Sequence, residues 1–285
     1  MKLITWNIQW CRGVDKRVDP ARVVADAKRI ADFDVLCLQE VADNFADPLL
    51  GGSRGEDQFA LLASYLPEFT AVPGVAVDQL GDNGRRRRFG NMILSRLPVL
   101  QAFRHLLPYP ADHDVPSMPR VAVEAVVRAP FGDVRVITTH LEYYSLAKRS
   151  AQVEALRAIY AEGFRYAGNP RVGQPDEGPY IAFARPAATV ITGDFNLEPD
   201  DPLHARMGAR YDDGTPPLVD AWEAKYPGTR HPPTFRIYEK EKPGDPELHC
   251  DFIFVSDGLR PRVAGVVVDT KTQVSDHQPV LLTLS

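Results

Sequence analysis

Short apolar runs alternate with polar, Gly- and Pro-bearing loops along the whole chain, with no abrupt change of composition. Leu3-Ile4-Thr5-Trp6-Asn7-Ile8 reads as a first strand, and Val35 to Gln39, bounded by charged residues, as a second. Between them Val23, Val24, Ala27 and Ile30 fall at helical spacing, which predicts a helix from about Pro20 to Ala31 with Pro20 in its first turn. Another helix is predicted from Asp57 to Leu66, with Phe59, Leu62 and Leu66 on one face. The pattern then turns to β. Asn91 to Ser95, Val121 to Val127 and Val134 to Thr139 are strand-like, and Pro130-Phe131-Gly132-Asp133 makes a hairpin turn between the last two. A long helix follows from about Ser145 to Tyr160, with Leu146, Val153, Leu156 and Tyr160 toward the core. Ala188 to Thr192, Asp251 to Val255 and Val263 to Val268 are further strands, and a final one follows Pro279.

Gly51–Gly55, Gly81–Gly84, Gly168–Gly178 and Tyr226–Pro246 are Gly/Pro-rich but too short to link domains, so they read as surface loops. No internal repeat of fixed period is present. Several strands occur per helix rather than in strict βα alternation. That order predicts an α/β domain spanning residues 1–285, with two mainly antiparallel or mixed sheets packed together and helices outside.

Composition narrows the function. Hydrophobic residues at 44% and charged residues at 25% are ordinary for a globular chain and exclude disorder, collagen and coiled coil. Lys and Arg total 33 against 38 Asp and Glu, a net charge of −5, so there is no broad basic surface to grip nucleic acid by charge alone. The chain can still process phosphates if a metal supplies the positive charge. Three cysteines, Cys11, Cys37 and Cys250, cannot form a disulfide framework, and Cys37 within Val35-Leu36-Cys37-Leu38 reads as a buried small hydrophobe. A reducing, cytoplasmic setting is expected. The N-terminus lacks a secretion signal, and no window approaches about 18 uninterrupted apolar residues.

Polar groups stand at the ends of the apolar strands: Asn7, Glu40, His140, Asp194 with Asn196, and Asp276 with His277 ahead of the final strand. Each alone reads as a turn, cap or hydrogen-bonded structural residue. Together they form a set of hard oxygen donors, amides and imidazoles. Such donors suit Mg²⁺ or Mn²⁺. A thiolate–imidazole zinc site would need spaced Cys and His, and the one adjacent pair, His249-Cys250, reads most simply as a strand dipeptide. A histidine held by a carboxylate can act as a base or stabilise phosphate charge.

Thr5-Trp6-Asn7, Leu38-Gln39-Glu40, Gly90-Asn91-Met92-Ile93-Leu94-Ser95-Arg96, Thr139-His140-Leu141, Gly193-Asp194-Phe195-Asn196, Asp251-Phe252-Ile253-Phe254-Val255-Ser256 and Ser275-Asp276-His277 resemble, in order, the motifs of the endonuclease/exonuclease/phosphatase superfamily. The resemblance implies a four-layer α/β sandwich with its site where strand ends of both sheets meet. It further implies Glu40 as the principal Mg²⁺ ligand, with Asn7 beside it and Asp276 nearby. By the same resemblance Asp194 orients or deprotonates the attacking water, and Asn196 holds that water or a phosphate oxygen. His277 would face the scissile phosphate with Asp251 fixing its ring, and His140 would contact the phosphate.

The arginines remain two-sided. Arg120 matches a frequently basic family position and is either a phosphate contact or a surface salt bridge. Arg149 resembles a family helix start or is a solvated helix face. Arg85-Arg86-Arg87-Arg88 is either a mobile solvated loop or a guide for a polyanionic substrate. The expected reaction is Mg²⁺-dependent hydrolysis of a phosphodiester, with Mn²⁺ as a substitute, in nucleic acid and in DNA more than RNA. Thr139-His140-Leu141 speaks against the abasic-site endonuclease branch, while Thr5-Trp6-Asn7, Leu38-Gln39-Glu40 and Ser275-Asp276-His277 also resemble the tyrosyl-DNA phosphodiesterase branch, to which His140-Leu141-Glu142 adds slightly. Hydrolysis of a small or lipid phosphate is the alternative, and a non-catalytic phosphate-binding role a third. No obligate protein partner is expected, and the chain reads as a monomer.

Overall fold

A computed structural model describes residues 1–169, 178–180, 182–183, 185–240 and 242–285. Residues 170–177, the body of the expected Gly168–Gly178 loop, lie outside the described residues. In chain order the strands are β1 (Lys2–Asn7), β2 (Val35–Asp43), β3 (Thr70–Leu80), β4 (Arg86–Ser95), β5 (Val99–Leu106), β6 (Val121–Ala129), β7 (Gly132–His140), β8 (Thr189–Asp194), β9 (Leu218–Asp220), β10 (Asp251–Ser256), β11 (Val263–Val268) and β12 (Val280–Leu284). They form two six-stranded sheets, ordered β11-β12-β1-β2-β4-β3 and β5-β6-β7-β8-β10-β9. Both sheets are mixed, because β1 runs parallel to β2 and β7 parallel to β8.

The helices are α1 (Pro20–Ile30), α2 (Gln58–Ser64), α3 (Leu146–Gly168), α4 (Pro202–Met207) and α5 (Ala221–Lys225). Asp19 caps α1 by accepting the Arg22 N–H, and Ser145 caps α3 by accepting that of Lys148, each using a side-chain oxygen where helical N–H groups lack partners.

Alternation along the strands divides the core into layers. Leu3, Val35, Cys37, Ile93, Val123 and Val136 point between the sheets. Their neighbours Ile4, Trp6, Leu36 and Leu38 pack instead with Val23, Val24, Phe59 and Leu62 of α1 and α2. On the far side Ile137, Ile191, Phe252 and Phe254 pack with Val153, Leu156 and Tyr160 of α3. The result is the expected four-layer α/β sandwich. Strands buried on both faces read as near-continuous apolar runs, which is why they stood out in the sequence.

Several expectations need correction. β3 and β5, the outermost strands beside β4 and β6, were not expected from the pattern. The Arg85–Arg88 run is no mobile loop, since Arg86–Arg88 belong to β4 and Gly81–Gly84 makes the hairpin turn from β3. Opposite charges hold each side chain: Arg86 with Asp78 (2.7 Å), Arg87 with Asp82 (2.8 Å), Arg88 with Asp43 (2.6 Å) and Arg85 with Asp43 (3.5 Å). His249-Cys250 stands just before β10 rather than within a strand.

Pairing register places the chemistry. His140 pairs with Asp194 across β7 and β8, and Asp194 with Asp251 across β8 and β10, so three polar residues share one rim. Asn7 pairs with Gln39 at the corresponding rim of the other sheet. A bulge between Leu38 and Val41 interrupts the β2–β4 ladder there, and Glu40 takes the left-handed conformation (φ 62°). Bulges re-aim a side chain, here the carboxylate that strict alternation would send elsewhere. Gly193 has φ 140°, and a Cβ on it would lie 1.9 Å from the Thr139 carbonyl oxygen. Only glycine lets β7 and β8 close at that point.

Candidate active site

Asp194, fully buried at the end of β8, is the hub. Its Oδ1 accepts the Asn196 backbone N–H (2.9 Å), which holds the carboxylate in a fixed plane. Its Oδ2 accepts from Asn7 Nδ2 (3.0 Å) and faces His140 Nε2 at 3.5 Å and His277 Nε2 at 3.7 Å. Three residues distant from Asp194 in sequence thus converge on one of its oxygens.

Asn7 Nδ2 also donates to Glu40 Oε1 (3.0 Å), while its own Oδ1 accepts the Gln9 N–H (3.1 Å), so the amide bridges the two carboxylates. Asp276 Oδ2 accepts from Gln9 Nε2 (2.7 Å). Asn196 sits in the left-handed region (φ 51°), with Nδ2 donating to the Leu141 carbonyl (2.9 Å).

His277 is gripped from several sides. Its Nδ1 meets Asp251 Oδ2 at 2.9 Å, its carbonyl accepts Trp6 Nε1 (2.9 Å), and the Phe235 ring stacks on it at 4.4 Å. Cys250 Sγ approaches Asp251 Oδ2 (3.6 Å) and His277 Nδ1 (3.9 Å). Gln9, Phe235 and Cys250 were not among the expected site residues. Phe235 and Gln9 lie in no motif, and Cys250 read as part of a strand.

Electrostatics separates the groups into roles. Burial and the neighbouring Asp276 carboxylate push the Glu40 carboxyl up to about 7. Burial and the Arg120 guanidinium hold His140 down to about 3, leaving it neutral. Burial also disfavours a charged His277, but the Asp251 and Asp194 carboxylates outweigh it and raise its pKa well above the ordinary imidazole value. One neutral and one cationic imidazole therefore flank Asp194.

Arg120 is 6% exposed and lies 3.9 Å from Glu142, and its Nε and Nη1 have no hydrogen-bond partner among the described residues. A buried guanidinium left this open is uncommon, and next to Asp194 and Glu40 it is placed to receive an anion. Arg149 is no solvated helix residue, since its Nη1 donates to the Glu142 (2.9 Å) and Tyr143 (2.8 Å) carbonyls. With Tyr143, Tyr144, Asn196, Phe235 and Cys250 it lines a cleft of about 540 Å³ leading to the cluster. Arg85–Arg88 are committed to their carboxylates and are not brought into this site.

Glu40 and Asp276 offer hard oxygen donors, and beside burial, the larger cause, the Asp276 charge helps raise the Glu40 pKa. That donor set fits a small divalent cation. Asp194, Cys250 and His277 also bring ligand atoms within 4.8 Å of one another.

A model of the Endonuclease/Exonuclease/phosphatase family matches residues 4–277, and the chain belongs to that family. Its members are generally phosphoester hydrolases, usually with a divalent metal. No curated relative matches by sequence. Among solved structures, an endonuclease/exonuclease/phosphatase from Beutenbergia cavernae is 22% identical with TM-score 0.68, the match covering 100% of this chain and 72% of that one. D. rerio TDP2 complexed with single strand DNA product is 18% identical with TM-score 0.64, covering 100% and 98%. A mannosyl-6-phosphatase from Bacteroides thetaiotaomicron is 16% identical with TM-score 0.63, covering 100% and 99%. At these identities the likeness concerns the fold. No helix among the described residues is long and apolar enough to cross a membrane.

Proposed function

We propose that this chain is a divalent-metal phosphodiesterase acting on nucleic acid, DNA more than RNA, with residues 1–285 working as one catalytic unit. The observation that carries the reading is the convergence of Asn7, His140 and His277 on Asp194 Oδ2, beside the open guanidinium of Arg120. That constellation meets the two needs of in-line hydrolysis, a base for water and countercharge for the phosphoryl oxygens. Asp194 takes the proton of the attacking water, and Asn196 positions that water or a phosphate oxygen. His277, cationic and oriented by Asp251, stabilises the developing charge, while neutral His140 and Arg120 bind the phosphate. Glu40 and Asp276, with Asn7 beside them, are the residues to hold Mg²⁺ or Mn²⁺. When bound, the cation polarises the phosphate and offsets its charge.

The single-strand DNA product in the TDP2 relative supports a nucleic-acid substrate. A small phosphate ester is the second reading, favoured by the neutralised Arg85–Arg88 run and the net charge of −5. The two separate by salt, because a polyanion's cleavage weakens steeply as salt rises and a small ester's does not. Three free, buried cysteines fit a reducing, cytoplasmic setting.

Hydrolysis of bis-p-nitrophenyl phosphate tests the reaction. Turnover should require Mg²⁺ or Mn²⁺, vanish with chelator, and fall by about 10²–10³ in His277→Ala. Turnover indifferent to both chelator and substitution would refute the proposal. The pH profile tests Asp251. His277 is cationic below its raised pKa, so kcat/KM should decline only as pH rises through that value. In Asp251→Asn the decline should move down toward about pH 6.5, the ordinary imidazole value. An unmoved basic limb would remove Asp251 from its orienting role.

A further inference from the structure

A second concentration of ligand-type atoms lies outside this site. His204 on α4, Asp220 at the junction of β9 and α5, and His231 after α5 bring their ligand atoms within 4.8 Å of one another. We infer that these three residues form a separate metal site of Zn²⁺ type, which staples the short outer elements α4, β9 and α5 together.

Geometry carries the inference. His204 Nε2 and His231 Nε2 both lie 2.8 Å from the same oxygen, Asp220 Oδ2. Asp220 Oδ1 accepts the Trp222 backbone N–H (2.8 Å), which fixes the carboxylate and leaves Oδ2 to the imidazoles. Zn–N and Zn–O bonds of about 2.0–2.1 Å at tetrahedral angles put ligand atoms roughly 3.3 Å apart. Moving each imidazole about half an ångström away from Asp220 Oδ2 would therefore bring both nitrogen–oxygen separations to that spacing. Two imidazoles and a carboxylate are the donor types zinc prefers, and three protein ligands leave a fourth position for water.

The surroundings hold the ligands and admit the ion. His204 packs on the Phe252 and Phe254 rings at 4.7 and 5.3 Å, and His231 on Trp222 at 5.8 Å, so neither imidazole is free to swing. A cleft of about 370 Å³ reaches His231 from solvent, bordered by Glu198 and Glu247, which draw cations, and by Arg230, which does not. A staple is also useful here. α4, β9 and α5 are six, three and five residues long, too short to bury much surface on their own.

The chain of residues 1–285 loaded with Zn²⁺ and dialysed into Mg²⁺ buffer decides the matter, with bound zinc measured by atomic emission. Wild type and His277→Ala should each retain a single zinc, and His204→Gln/His231→Gln should retain none. Wild type that keeps no zinc overturns the inference, as does zinc lost in His277→Ala yet kept in the double variant. Should the double variant not fold, Co²⁺-substituted wild type answers instead. Four-coordinate d–d absorption without a sulfur-to-cobalt charge-transfer band supports the His–Asp–His site. That band at the first equivalent places the ion at Cys250 and overturns it.

Discussion

Asp194→Asn should lower kcat by about 10²–10⁴ with little change in KM. Asparagine keeps the side chain's volume but removes the charge and turns one acceptor into an NH₂ group. Whichever way the amide is placed, that group meets a donor: Asn7 Nδ2 on one side or the Asn196 N–H on the other. The base is gone and the hub is left with a donor against a donor. Steady-state kinetics with bis-p-nitrophenyl phosphate, alongside a circular dichroism spectrum matching wild type, is the measurement. Turnover within tenfold of wild type would move the base to another residue.

A comparable free energy is at stake in the interior of the second sheet. Arg135, with no solvent exposure, makes a two-pronged bond to Glu124: Nε to Oε1 at 2.7 Å and Nη2 to Oε2 at 3.1 Å. Its Nη2 also donates to the Ile159 carbonyl of α3 (3.0 Å), and His105 meets the remaining side of Glu124 (3.0 Å). Burial alone would raise the Glu124 pKa, but His105 and Arg135 outweigh it and bring it to about 2. Arg135→Ala leaves that carboxylate buried with far less compensation and should cost about 3–5 kcal/mol. Urea unfolding should show the loss as a lower midpoint at unchanged slope. A loss under about 1 kcal/mol would mean that water or Arg185, whose Nε lies 3.9 Å from Glu124 Oε1, takes over the carboxylate. Because a depressed carboxyl pKa stabilises above the unfolded value, the pair's contribution persists through neutral pH. It is lost only as pH falls toward about 2.

The double-sided strands and the amphipathic helices α1 and α2 were legible because their burial imposes a period on the sequence. β3 and β5 were not. Each is an edge strand with mixed exposure, and β3 contains Pro73 and Gly74, residues that argue against a strand except at an edge. The Arg85–Arg88 run misled for a different reason. Three of its partner carboxylates, Asp43, Asp57 and Asp78, come from other elements, and charge pairing across elements leaves no local trace. At the site, strand-end polar residues and ordered motifs located Asp194, His140, Asn7 and Glu40. Nothing local announced that Phe235 would stack on His277, or that Asp220 would gather two histidines. Those contacts come from loops, whose paths depend on tertiary packing rather than periodicity.

The site's division between two sheets also makes turnover a gauge of how the sandwich is seated. Asn7 and Glu40 ride on one sheet, His140, Asp194 and Asp251 on the other, and Gln39 Nε2 crosses between them to Thr138 Oγ1 at 2.8 Å. A slip of one layer over the other by an ångström would leave every ladder bond, and hence far-ultraviolet ellipticity, intact. It would still pull the Asn7 amide off Asp194 and part the hub from its cation ligands. Under mild denaturant, activity should therefore fade before ellipticity does, reporting loosening between layers that bulk spectroscopy passes over.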